Sequence, residues 1–301
     1  MTEKAHYSLT IFTPTYNRSR FLHGLYLSLQ QQTVNDFEWL IVDDGSKDNT
    51  KLTVETIIDG DGNSTSNLHI RYIRKSNGGK HTAINIGVQE AKGELFLILD
   101  SDDTLPSDAI ETILSYYERC KYKKYCAGVC GLMAHHNGER IGGGFPVEEL
   151  YESSLYFRYK LGVTGDLLEV FKTSVLREFP FPEINGEKFC PEALVWNRIA
   201  VKYKLYCFNK VVYYRDYLEG GLTDKIIKIR MESPVATCMT YSEMLGYSIP
   251  FIQKIKAAIN YWRFRCCLQA NTSQVPRVKC FWRIFRPMGC LIHIKDRKVI
   301  R

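Results

Sequence analysis

The chain has 301 residues, a mass of 34.8 kDa and 45% hydrophobic residues, enough for one large cored domain with an appendage. Its formal charge is +7, no apolar run approaches the roughly 18 residues of a membrane span, and the polar N-terminus does not read as a signal peptide, so a cytoplasmic or peripheral protein is expected. Ten cysteines are then expected to be reduced core thiols, and Cys120, Cys126, Cys130, His135 and His136 lack the paired Cys-x2-Cys knuckles of a zinc site. In chain order, apolar runs of strand length cover Ser8 to Phe12, Phe37 to Val42, Leu68 to Ile73 and Leu95 to Leu99. Between them lie segments of helical spacing: Phe21, Leu22, Leu25 and Leu29, then Leu52 to Ile58, then Ala83 to Ala91. This βαβαβαβ order predicts an α/β fold with a Rossmann-like, doubly wound, mostly parallel sheet.

Ligands of such sheets sit beyond the carboxyl ends of the strands. The polar segments fall there: Thr13-Pro14-Thr15-Tyr16-Asn17, then Asp43-Asp44-Gly45-Ser46, then Asn77-Gly78-Gly79-Lys80-His81, and after the fourth strand Asp100-Ser101-Asp102-Asp103. Carboxylates crowded at one strand end repel one another and ask for a cation. A hard divalent ion, Mg²⁺ or Mn²⁺, fits oxygen ligands and keeps positions open for phosphate oxygens. Asp44 is placed to accept from a base imide, and Thr13, Thr15 and Tyr16 offer hydroxyls and a ring to base and ribose. Gly78 and Gly79 allow backbone N–H groups near phosphate, with the Lys80 charge beside them. Each segment alone also reads as a turn or a helix cap; their recurrence at successive strand ends is what predicts a nucleotide-diphosphate site.

Ser8 to Asn17, Val42-Asp43-Asp44-Gly45-Ser46, Asn85-Ile86-Gly87 and Leu99 to Asp103 resemble the nucleotide-sugar half of the inverting family 2 glycosyltransferases, which have the GT-A fold. The resemblance is close through the acidic cluster and looser as far as Lys225. It implies a nucleotide-sugar half over about residues 1–105 and an acceptor half over about 106–230; charge and periodicity set residues 231–301 apart as a basic, amphipathic helical tail. It also implies a sugar nucleotide donor, most simply UDP-linked, touching Thr13, Pro14, Thr15, Tyr16, Asp44, Gly79, Lys80, Asn85, Asp100 and Ser101. Asp102 and Asp103 would hold the metal, with Asp100 able to assist. The family places a carboxylate at a helix start with an arginine six residues on. Glu192 and Arg198 in Cys190-Pro191-Glu192-Ala193-Leu194-Val195-Trp196-Asn197-Arg198 supply that pattern, with Pro191 where the family often has a first acidic residue. Glu192 is thus the expected catalytic base and Asp166, in Thr164-Gly165-Asp166, its rival. Arg215 and Asp216, with Gly220-Gly221-Leu222-Thr223, are expected to form a lid over the diphosphate. The Gln-x-x-Arg-Trp motif of processive synthases is missing from the sequence, which favours addition of one sugar per encounter. Two other classes fit less well. A sugar-phosphate nucleotidyltransferase opens with a Gly-rich loop after its first strand, and a non-enzymatic receiver-like module carries its acidic pair after that strand.

Charge is uneven along the chain. Residues Met231 to Arg301 hold twelve Lys/Arg against three Asp/Glu, whereas the rest holds 28 against 30. In this tail Ile252, Ile255, Ile259 and Trp262 recur at helical spacing, with Lys256 and Arg263 on another face. Val278, Phe281, Trp282 and Phe285 repeat the pattern beside Lys279, Arg283 and Arg286. Aromatic residues mixed with Lys and Arg predict contact with an anionic membrane surface, which would suit a lipid-linked or other glycan acceptor. The basic charge comes with no recognised nucleic-acid motif, so nucleic acid is not the expected partner.

Overall fold

The computed structural model describes residues 7–61, 68–216, 225–268 and 274–300. The predicted strands form as β1 (Tyr7–Thr15), β2 (Phe37–Asp43), β3 (His69–Arg74) and β4 (Gly93–Ile98), alternating with α1 (Ser19–Gln30), α2 (Thr50–Asp61) and α3 (Lys80–Glu90). They lie in the order β3-β2-β1-β4, all parallel. Every position of β2 is buried, as expected for a parallel strand covered on both faces, and this is why it reads as an apolar run. Glu38 is its polar exception before the terminal Asp43. The fully buried carboxylate accepts from Thr10 Oγ1 at 2.7 Å, the Lys92 backbone N–H at 2.7 Å and the Arg71 guanidinium at 3.1 Å, the donors that a buried charge requires. On one face Leu9, Ile11, Trp39 and Leu97 pack in one core with Leu22, Leu25 and Leu29 of α1. On the other, α3 approaches β1 so closely that a Cβ on Gly87 would lie 2.3 Å from the Phe12 ring, which gives the Asn85-Ile86-Gly87 motif a packing reason.

Beyond β4 come α4 (Ala109–Glu118), β5 (Cys126–Ala134), β6 (Glu149–Glu152), α5 (Ser154–Tyr159), β7 (Leu167–Lys172), α6 (Thr173–Glu178), α7 (Glu192–Lys202) and β8 (Lys204–Tyr214). They extend the sheet to eight strands in the order β3-β2-β1-β4-β7-β5-β8-β6. Strand β7 runs antiparallel to both β4 and β5, β5 pairs parallel with β8, and β6 closes the edge antiparallel to β8. The sheet is therefore mixed but mostly parallel, with the doubly wound half at its N-terminal end.

The chain packs as two compact units, residues 1–180 with 202–216 and residues 181–201 with 217–301. The sheet belongs to the first. The second holds all but the last residue of α7, then α8 (Ile226–Glu232), α9 (Pro234–Met244), α10 (Phe251–Arg265), a 3-10 turn (Cys280–Phe285) and α11 (Arg286–Ile300). The expected boundary at residue 230 falls inside α8, and the segment carrying Glu192 packs with the tail helices. Val235, Cys238, Tyr261, Phe264 and Val275 form the core there. Six cysteines are buried, but Cys266, Cys267, Cys280 and Cys290 of the tail are not, so the core-thiol expectation fails for those four. Among the described residues no helix is long and apolar enough to cross a membrane.

Candidate active site

Four loops meet at the carboxyl edge of β1 to β4. The β1 and β2 loops are sewn together: Asn17, in a left-handed conformation (φ 53°), donates its backbone N–H to Ser46 Oγ at 2.9 Å and accepts the Lys47 N–H at 2.8 Å through its side chain. Of the residues expected to face nucleotide, Thr13 does not. It is fully buried and accepts the Trp39 indole N–H at 2.9 Å, because strand alternation turns it into the core beside Ile11. Pro14 is also buried, whereas Tyr16 is exposed. Thr15 Oγ1 lies at the end of β1, buried and without a hydrogen-bond partner, and a polar atom in that state is a place for a ligand to bond.

Asp44 has a different neighbourhood from the one expected. Its carboxylate accepts from Lys75 Nζ at 2.6 Å, the Gly78 N–H at 2.8 Å, the Gly79 N–H at 2.7 Å and Asn77 Nδ2 at 3.0 Å. The amides expected to reach phosphate are thus turned onto Asp44, which fastens the β3–α3 loop. Gly79 caps α3 at φ 96°, a conformation that favours glycine, and the helix starts at Lys80, three residues before the predicted run. Asn85 is half-buried on the same helix.

Lys80 crosses to the acidic turn, with Nζ 2.7 Å from one Asp100 oxygen and 3.0 Å from the other. The three carboxylates of the turn are held differently. Burial opposes ionisation of Asp100, but the Lys80 charge and hydrogen bond, then Arg215 and Arg18, outweigh it and hold the carboxyl below its usual range. Asp103 is buried; that burial, and next the Asp100 charge, push its pKa up to about 7. Tyr213 at the end of β8 links the two, donating to Asp103 at 2.6 Å and accepting the Asp100 N–H at 3.0 Å. Asp102 is partly exposed and, among the described residues, makes a long ion pair with Arg18, at 3.4 Å; Ser101 is buried beside it. Among the described residues no three-carboxylate or histidine cluster is preassembled for a metal. The donor set nevertheless fits a hard divalent ion. It is all oxygen, and a cation there would favour ionised Asp103 against the burial and the Asp100 charge that raise its pKa.

Arg215 reaches back from β8 and pairs with Asp166 at 3.0 Å, while Asp216 holds His136 Nδ1 at 2.7 Å and His135 Nδ1 at 3.1 Å. Arg215 is thus built into the sheet unit; the Gly220-Gly221-Leu222-Thr223 part of the expected lid lies outside the described residues. Glu192 opens α7 in the second unit, and Arg198 of that helix is bound to Glu243 of α9 at 2.6 and 2.9 Å. Lys75 and Tyr213 were missed by sequence reasoning. Lys75 stands next to a motif already singled out, but Tyr213 lies 110 residues from Asp103 and reads as an ordinary core tyrosine.

Set charge against charge, the turn carries Asp100, Asp102 and Asp103 with Lys80, Arg18 and Arg215 around it. Such a balance suits a diphosphate and a divalent ion arriving together. Comparison with known proteins identifies the family and the fold. The chain is 28% identical over 215 residues to the GalNAc(5)-diNAcBac-PP-undecaprenol beta-1,3-glucosyltransferase of Campylobacter jejuni, covering 71% of this chain and 67% of that one. Its fold is shared with S. aureus TarS 1-349 in complex with UDP-GlcNAc (19% identity, 95% of this chain and 80% of that chain, TM-score 0.59). It is shared also with the mannosyltransferase PcManGT from Pyrobaculum calidifontis in complex with GDP-Man and Mn²⁺ (16% identity, 97% and 87%, TM-score 0.57). Residues 10–160 match the glycosyl transferase family 2 profile, and the chain belongs to that family of glycosyltransferases.

Proposed function

We propose that this glycosyltransferase moves a sugar from a UDP-linked donor to a hydroxyl of a lipid-linked or other glycan acceptor, with inversion at the anomeric carbon and dependence on a divalent metal. The observation that carries this reading is the acidic turn, three carboxylates with Lys80 at 2.7 Å from Asp100 and Arg18 at 3.4 Å from Asp102. The Campylobacter relative's undecaprenol-linked substrate supports the acceptor class, and the UDP-GlcNAc complex of TarS supports the donor.

Asp102, with Asp100 or Asp103, would hold Mg²⁺ or Mn²⁺, which supplies Lewis-acid charge against the departing diphosphate. Lys80 and Arg18, at the edges of the turn, would contact the phosphate oxygens, and Thr15 Oγ1 would donate to the nucleoside. Asp44 would act through the loop it fastens, setting the position of Lys80. Glu192 is assigned as the base that takes the proton of the acceptor hydroxyl as that oxygen attacks the anomeric carbon and the nucleoside diphosphate leaves. Asp166 is already bound to Arg215 at 3.0 Å, which suits it to orienting donor or acceptor. A panel of UDP-sugars with an undecaprenyl-diphosphate glycan, assayed with Mn²⁺ and with chelator, tests the reading. Release of UDP in Mn²⁺ with a β-linked product from an α-linked donor is expected. Retained configuration, or equal turnover in chelator, would overturn the mechanism.

A further inference from the structure

The second unit presents an apolar face that the sequence pattern did not single out. Helix α11 packs on α10 at Gly289, where a Cβ would lie 2.7 Å from the Ile259 carbonyl oxygen and 2.8 Å from the Arg263 backbone nitrogen. The crossing is fixed by a bidentate ion pair between Arg263 and Asp296, at 2.5 and 2.8 Å, and His293 is buried on the same side. With that side of the helix committed, the opposite side is determined by the 3.6-residue repeat. It carries Leu291, Ile294, Lys295 and Lys298, with Met288 and Val299 at its flank, all exposed. Just before the helix, Ile284 is 72% and Phe281 60% exposed, and Phe281 touches Phe251, itself exposed at the start of α10.

Three of the residues expected from sequence to meet lipid are engaged within the unit. Trp282 is buried, Trp262 donates its indole N–H to the Trp282 carbonyl at 2.8 Å, and Arg263 is tied to Asp296. The segment Cys280–Phe285 is a 3-10 turn rather than the start of a helix. A row of large apolar side chains in water needs a covering partner. Charge says which: residues 274–300 contain seven Lys/Arg and one Asp/Glu, and that one, Asp296, is neutralised by Arg263.

We infer that the outward face of α11, with Phe281 and Ile284, is a surface that inserts into an anionic lipid bilayer, Leu291 and Ile294 entering the acyl boundary while Lys295, Lys298 and Arg283 meet the headgroups. A 15-residue helix of this kind lies in the interface and does not span it. The inference deepens the lipid-linked acceptor reading and rests on it for its purpose: an enzyme on the surface meets its acceptor in two dimensions. Another protein copy could also cover an apolar face, but a surface this cationic would repel its own image.

The test separates insertion from mere charge attraction. Leu291→Lys with Ile294→Lys adds two positive charges while removing apolar surface; both sites are exposed, and an unchanged melting temperature verifies the fold. The full chain is co-sedimented with phosphatidylglycerol vesicles and with phosphatidylcholine vesicles. Wild type is expected to pellet with the former only, and the double variant to bind them at least roughly tenfold more weakly in spite of its added charge. Equal or tighter binding by the variant would reduce the surface to electrostatic adsorption and overturn insertion. A wild type that stays in the supernatant at low salt, or that is dimeric by light scattering with the dimer lost in the double variant, would also overturn it. Transfer to a water-soluble acceptor is measured in parallel and is expected to be the same in both proteins. Its absence from both, with vesicle binding intact, would count against the proposed reaction and leave the membrane face standing.

Discussion

Replacing Asp103 with Asn removes the one carboxyl of the acidic turn that the fold holds near neutrality. In the unfolded chain this group titrates near 3.8 and in the fold near 7, raised by burial and by the Asp100 charge. Between those values the native state holds a proton that the unfolded state has released. The contribution of this one group to stability is therefore full below about pH 4 and is lost as pH rises through about 7. At 1.36 kcal/mol per pH unit the gap is on the order of 4 kcal/mol, and more than half of it develops between pH 5 and pH 8. Asn keeps the shape and still offers an oxygen to the Tyr213 hydroxyl, now 2.6 Å from Asp103, but cannot ionise. Urea unfolding in chelator, at several pH values, compares the two proteins. Wild type should lose stability relative to Asp103→Asn as pH rises, and saturating Mn²⁺ at about pH 8 should stabilise wild type more than the variant, which keeps only Asp100 and Asp102 of the three carboxylates, since a ligand bound to the native state stabilises it. Parallel pH curves for the two proteins would refute the raised pKa and the like-charge repulsion behind it.

Other perturbations address the roles one at a time. Asp102→Asn should leave the melting temperature near wild type, because the side chain is partly exposed with a long ion pair, while transfer in Mn²⁺ falls to the level seen in chelator; normal turnover in chelator would remove the metal role. Glu192→Gln should preserve donor binding in thermal shift and lower kcat by roughly 10² to 10⁴, the usual effect of losing a general base; unchanged kcat there, with collapse in Asp166→Asn, would move the role to Asp166. Gly87→Ala, whose Cβ would meet the Phe12 ring at 2.3 Å, should destabilise the sheet unit by about 1–3 kcal/mol in urea unfolding, and a neutral result would show that α3 can slide on β1.

The sequence by itself determined the N-terminal half of the fold and the edge on which the site lies. Strands buried on both faces must be nearly all apolar, so β1, β2 and β4 stand out, and the polar segments that interrupt the pattern mark their carboxyl ends. The same local signals did not reveal the insertion of β7 between β4 and β5, because strand order depends on pairing between distant segments. Partners within the site were hidden for the same reason. That Asp44 receives Lys75 and the Gly78 and Gly79 amides, that Tyr213 joins Asp100 to Asp103, and that Arg215 meets Asp166 follow from which strand ends become neighbours in three dimensions. Thr13 was legible as a hydroxyl at a strand end but not as a buried partner of Trp39. In the tail, periodicity announced amphipathic helices, yet only the tight α10–α11 crossing at Gly289 decided which apolar face is covered and which is left to water. A helical pattern fixes the angle between side chains; the neighbour that covers one of them is a property of the packed chain.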